Sequence, residues 1–111
     1  MGERERRIGR NEALFREVNE HVESLNRGIA EASDRQMHIV CECGDLSCAE
    51  GLTVPIGKYE EVRGDATLFF VKPGHEAADI EAVVEHTVGF DVVRKHAGDA
   101  QLVAEETDPR S

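Results

Sequence analysis

The sequence predicts an α+β domain: a long N-terminal helix, then a small, mostly antiparallel sheet with short helices. Three observations lead there. Ile8, Phe15, Val22 and Ile29 recur every seven residues with Val18, Leu25 and Ala32 interleaved, an apolar seam of roughly three heptads. After residue 36 the apolar period drops to two. The chain has 111 residues, the length of one domain.

The helix is expected to run through residues 1–35, with a basic start and an apolar seam. Glu12, Arg16, Glu17, Glu20, Glu23 and Arg27 fall between the seam positions as a charged outer face. Glu12–Arg16 and Glu23–Arg27 stand at i,i+4 in the favourable order. Gly28 costs the helix up to about 1 kcal/mol, and "ASDR" at 32–35 is where it should end. Such a seam either docks on the rest of the domain or pairs with a second copy.

Residues 36–104 form the expected core. "MHIVC" (37–41) and "LTVPI" (52–56) are short strands, the second confined by Pro55 to an edge or a strand end. "GKYEEVRGD" (57–65) reads as a short helix with Tyr59 and Val62 facing in. "TLFFVK" (67–72) is the strongest strand and stops at the Pro73-Gly74 turn. "DIEAVVEHT" (79–87) puts Ile80, Val83 and Val84 on one face of one or two helical turns. "FDVVRK" (90–95) is a further strand. A short helix opens the stretch after Gly98, and 105–111 is a polar, mobile tail.

All the cysteines lie in "VCECGDLSCAEG", spaced Cys-x-Cys-x4-Cys as Cys41, Cys43 and Cys48. Gly44 follows the middle thiol and allows the tight turn a metal knuckle needs. Zinc takes four ligands in a tetrahedron and accepts thiolate and imidazole, so a fourth ligand is sought among the histidines. His21 lies on the charged helix, His38 alternates away from Cys41, and His86 and His96 sit among charged residues. His75 follows the strongest strand and a Pro-Gly turn, where a loop tip presents an imidazole, with Glu76 beside it to orient the ring.

Cys41, Cys43, Cys48 and His75 are therefore the expected Cys3His zinc knuckle, with Asp45, Glu42, His38 or water as competitors for the fourth place. Three other readings of the thiols stay open: buried reduced cysteines, a [2Fe–2S] cluster, and a redox switch that forms a disulfide and releases zinc. The cluster family that uses Cys-x-Cys places its histidine four residues after the third cysteine, unlike the long gap from Cys48 to His75. Glu42, Asp45 and Glu50 argue for a shallow rather than a deeply buried turn.

Composition supports a staple of this kind. Hydrophobic residues make up 40% of the chain, Trp is absent and there is one Tyr, so the core is modest and a structural metal would help it. The net charge of −10 disfavours phosphate backbones. Arg4, Arg6, Arg7 and Arg10 are the exception: a solvated, frayed helix start with alternating charges or, as the less favoured alternative, a basic handle for nucleic acid or an acidic partner. No apolar run reaches the ~18 residues of a membrane span, and the charged start has no signal-peptide core. The expected compartment is the cytoplasm. No serine stands in a nucleophile elbow, no glycine run forms a phosphate loop, and a zinc with four protein ligands is structural. The expectation is a non-enzyme with no small-molecule substrate, acting on a protein partner or on itself through the helix.

"RNEALFREVNE", "CECGDLSC", "VKPGHE" and "AEETDPR" together resemble a group of small, uncharacterised bacterial proteins built around a Cys-x-Cys-Gly-x3-Cys turn and a Pro-Gly-His-Glu motif. The resemblance spans most of the chain and implies that residues 1–111 are a complete protein. It brings no activity with it.

Overall fold

The computed structural model describes residues 2–27, 36–45, 47–48 and 50–110. Helix α1 (Gly2–Arg27) is followed by β1 (Gln36–Val40), β2 (Gly51–Pro55), α2 (Ile56–Arg63), β3 (Leu68–Val71), β4 (Glu81–His86), β5 (Asp91–Lys95) and α3 (Asp99–Glu106). The architecture is α+β, with two antiparallel sheets, β1–β2 and β3–β5–β4. Ile29, Ala32 and the expected helix end at 32–35 lie outside the described residues, as do the side chains of Arg4, Leu25 and Arg27.

The β1–β2 hairpin keeps the alternation of its sequence. Met37 pairs with Val54 and Ile39 with Leu52, and all four point inward. Pro55 ends β2 and opens α2, where its missing N–H costs no ladder bond. Tyr59 and Val62 of α2 face the core as the pattern required.

The second sheet is buried on both faces of β3, which is why "LFFV" is apolar throughout. Phe70 packs toward the hairpin and α2, stacked on Tyr59 at 5.6 Å and edge-on to Phe90 at 5.4 Å. Phe69 and Val71 face the opposite layer with Val93, Ala104, Cys41 and Cys43.

Residues 79–87 do not form a helix: the chain makes one turn, Ile80 and Glu81 N–H both donating to the Ala77 carbonyl (2.9 and 3.1 Å), and then straightens. Glu81–His86 is an edge strand paired with β5, with a bulge between Val83 and Glu85. Ile80 and Glu81 are buried, whereas Val83 and Val84 stay exposed. Two adjacent β-branched residues suit a pleated edge, and the ladder partner in β5 is invisible to a local apolar pattern.

Helix α1 also turns a different face inward. Glu12, Arg16, Asn19 and Glu23 are buried, while Val18 is exposed and Ile8, Phe15 and Val22 are only half covered. The expected charged outer face is thus partly the docking face; of its members Glu17 is exposed and Glu20 half-buried. Each buried charge meets a partner brought from far along the chain. Lys95 Nζ lies between the carboxylates of Glu12 and Glu81. Arg16 donates to the carbonyls of Ala66 (2.6 Å) and Ala104 (2.8 Å). Its guanidinium covers the Phe69 ring at 4.5 Å, and Lys95 Nζ lies 5.0 Å from the same ring. The described end of the chain is tied down rather than loose: Arg110 donates to the carboxylates of Glu20 and Glu60 at 2.8–3.2 Å.

Candidate metal centre

Cys41, Cys43, Cys48 and His75 come together, their ligand atoms all within 4.8 Å of one another. Two short segments supply them. The loop from β1 to β2 carries the thiols, and the turn after β3 carries the imidazole.

The thiol loop is built from local turn chemistry on a fixed base. Cys41 N–H donates to the Glu50 carbonyl (2.9 Å), which closes the loop where β1 and β2 part. Gly44 has φ +82°, a conformation that favours glycine. Asp45 Oδ1 accepts from the N–H (2.9 Å) and Oγ (2.7 Å) of Ser47, and Cys48 N–H donates to the Asp45 carbonyl (2.9 Å). These bonds from Ser47 hold the Asp45 carboxyl below the usual range.

The second segment is Lys72-Pro73-Gly74-His75. His75 N–H donates to the Lys72 carbonyl at 2.9 Å and Gly74 has φ +91°, the Pro-Gly signature of a type II turn. The turn aims the ring at the thiols: His75 Nδ1 stands 3.7 Å from Cys41 Sγ and 3.6 Å from Cys48 Sγ. Lys72 N–H donates to Cys41 Sγ at 3.1 Å, an amide pointed at a sulfur.

Those separations test the fit of an ion. Zinc bonds of about 2.3 Å to sulfur and 2.0–2.1 Å to nitrogen, at tetrahedral angles, put the sulfur and nitrogen ligands about 3.6 Å apart. The two sulfur–nitrogen edges to Cys41 and Cys48, 3.7 and 3.6 Å, match it, and all four ligand atoms lie within 4.8 Å of one another. Burial pushes the Cys41 thiol up, with Cys43 and Cys48 adding to the rise against the Lys72 amide. Burial likewise raises Cys43. A bound dication reverses that balance, because it stabilises every thiolate at once.

The turn is deeper than its acidic neighbours suggested. Cys41 is 1% and Cys43 8% exposed, and Glu42 between them is wholly buried; Asp45 and Glu50 are exposed. Glu42 Oε1 accepts from Arg63 Nη2 and from Phe70 N–H, both at 2.9 Å, while Oε2 accepts from Asn19 Nδ2 at 2.6 Å. Its own N–H donates to the Phe70 carbonyl at 2.8 Å. One residue therefore stitches the thiol loop to β3, α2 and α1. That explains the Cys-x-Cys spacing, since along an extended segment the residue between two thiols must face the other way.

The three side chains that compete for the fourth place are engaged elsewhere. Glu42 is spent on this network, Asp45 on its turn, and exposed His38 lies 3.1 Å from Thr53 Oγ1. His86 pairs with Asp91, and His21 and His96 are exposed. Glu76 Oε1, proposed to orient the His75 ring, is buried without a hydrogen-bond partner. The roles of Glu42 and of the α1 side chains Asn11 and Asn19 carried no sequence signal apart from the Cys-x-Cys spacing itself. Arg6, Arg7 and Arg10 of the basic start are exposed on α1. Among the described residues no helix is long and apolar enough to cross a membrane.

Comparison of the chain with protein-family models, curated proteins and solved structures yields no match.

Proposed function

We propose that this chain is a small zinc-binding interaction or regulatory module, with no catalytic role of its own. Cys41, Cys43, Cys48 and His75 hold a structural zinc, and α1 meets a protein partner or a second copy. The observation that carries the reading is the convergence of three sulfurs and one nitrogen from two segments within 4.8 Å, with the imidazole nitrogen 3.6–3.7 Å from two of the sulfurs. When bound, zinc supplies a cross-link that contributes folding free energy and holds the thiols as thiolates. A set this compact suits a single ion, whereas a [2Fe–2S] cluster divides its terminal ligands between two irons. Three clustered cysteines, an odd number, do not suit a secreted disulfide framework, and a cytoplasmic protein is part of this reading. Support for α1 as the partner surface comes from Leu14 and Val18, which are exposed beside half-buried Ile8, Phe15 and Val22.

The test is metal content of tag-free protein purified without added metal, for wild type and His75→Ala. One zinc per chain, lost or weakened in the variant, is the expected result. Iron with visible absorption, or no metal in wild type, overturns the reading.

A second reading, a thiol-based redox sensor, is favoured by the partial exposure of Cys48 beside buried Cys43. Two thiolates would join as a disulfide, passing two electrons to hydrogen peroxide, whose O–O bond breaks and which takes two protons from solvent to leave as two waters, and zinc would be released. Zinc release at stoichiometric peroxide, reversed by a thiol reductant, would favour the sensor over a purely structural ion.

A further inference from the structure

Residues 40–44 leave β1 as a short strip with two occupied sides. Cys41 and Cys43 turn toward the ligand set. Val40, Glu42 and Gly44 carry α1. Asn19 clasps the Val40 backbone, Nδ2 donating to its carbonyl and Oδ1 accepting its N–H, both at 2.8 Å. Asn19 Nδ2 also reaches Glu42 Oε2 at 2.6 Å, and Asn11 Nδ2 donates to the Gly44 carbonyl at 2.9 Å. At Gly44 the helix is so close that an added Cβ would stand 2.8 Å from Ile8 Cγ2 and 3.1 Å from the Ile8 carbonyl and Glu12 Cγ.

Apolar contact elsewhere is limited to half-covered side chains such as Val22, packed on the core, and to Gly9 against Val103 of α3. Among its described side chains only Ala13 is a fully buried hydrophobe. The other buried groups, Glu12, Arg16, Asn19 and Glu23, are polar or charged. Such contacts depend on position: each holds only while its partner stays within hydrogen-bond reach, and displacement leaves a desolvated group unpaired. A segment with few buried apolar contacts belongs to the lower-stability units of a fold.

We propose that occupancy of the Cys3His site controls the docking of α1. This rests on the metal-site reading and adds regulation to it. An ion at the four ligands holds the strip in place, and the strip seats the helix. Without the ion the thiol loop loses its cross-link to the His75 turn, Gly44 and Glu42 shift from the helix, and α1 leaves before the two sheets unfold. The released helix presents Ile8, Leu14, Phe15, Val18 and Val22 together. Linkage makes the coupling reciprocal, so weakening the seat must weaken metal binding.

Two measurements on the full chain test this. Hydrogen exchange is followed with zinc bound and after chelation. The expected result is loss of protection in α1 while β3 and β5 remain protected. Protection of α1 that survives zinc removal overturns the proposal and leaves the metal reading standing; simultaneous loss in every element also overturns it, making the ion a general staple. A wild-type chain that binds no zinc removes both readings. The second measurement is zinc affinity of Asn11→Ala, a change remote from the ligands, by competition with a chromophoric chelator. A weakening of roughly 5- to 150-fold, the span of ordinary site–site coupling, is expected. Unchanged affinity overturns the coupling.

Discussion

Lys95 supplies the cation on which Glu12 and Glu81 both depend, and no part of the three side chains is exposed. Lys95→Met keeps the stem and much of the volume and removes the charge. In the native chain burial already drives the Glu12 carboxyl well above its usual range, Lys95 opposes that rise, and Glu81 adds to it. Without the lysine Glu12 must stay protonated to remain buried. Protonating a carboxyl at pH 7 against an unfolded value of about 4.3 costs up to roughly 3.7 kcal/mol, at about 1.36 kcal/mol per pH unit. That lies within the about 3–5 kcal/mol lost when one partner of a buried pair is removed. A folded pKa above the unfolded one means that the native state binds more protons, so stability falls as pH climbs above about 4.3. At pH 5.5 the same carboxyl costs only about 1.6 kcal/mol. Urea unfolding in zinc-containing buffer, at pH 7 and pH 5.5, reads this directly. Because the wild type already bears part of the cost, Lys95→Met should lose about 2–4 kcal/mol at pH 7 and distinctly less at pH 5.5. The triple variant with Glu12→Gln and Glu81→Gln should recover most of the loss. A Lys95→Met chain as stable as wild type at pH 7, or a deficit independent of pH, would refute the reasoning.

Two glycines separate backbone strain from helix contact. Both Gly44 and Gly74 have positive φ, but an added Cβ meets Ile8 at Gly44 and nothing within 4 Å at Gly74. Gly74→Ala should cost about 1 kcal/mol in denaturant unfolding, and Gly44→Ala about 2–3 kcal/mol; equal costs would mean that the α1 contact carries no weight. Arg110→Ala removes the clamp on Glu20 and Glu60. With a partly exposed guanidinium its loss should be about 0.5–1 kcal/mol, smaller at high salt. Burial alone would raise the Glu20 carboxyl, but hydrogen bonds from Arg110 and Tyr59 outweigh it and hold it below its usual range. Stability from this lowered group is present above the unfolded value and lost as pH falls through the folded one. The gap between wild type and Arg110→Ala in thermal unfolding should therefore close in acid, and a gap that widens there would contradict the clamp.

The legible parts were those in which a short stretch carries its own instruction. The strands at 37–41, 52–56, 67–72 and 90–95 showed alternation or a closed apolar run bounded by turn residues, and each appears within a residue or two of its expected place. The four clustered residues were legible because the thiols lie within eight positions and Pro73-Gly74 marks where His75 is presented. Residues 79–87 were misread because Ile80, Val83 and Val84 satisfy a helical spacing, and only pairing with β5 decides otherwise.

By itself the sequence determined the α+β class, the place of the Pro73-Gly74 turn and the four side chains that come together, since glycine, proline and side-chain alternation act over a few residues. The tertiary structure decided which face of α1 is buried. Apolar periodicity argued for the seam of Ile8, Phe15 and Val22, on the ground that charges stay in water unless paired. Here they are paired: Glu12 with Lys95, Arg16 with the Ala104 carbonyl, and Glu42 with Asn19 and Arg63. Those partners lie 21 to 88 positions apart in the chain. No window along the sequence holds both ends of such a contact, so the cost of burying the charge is readable locally and its compensation is not.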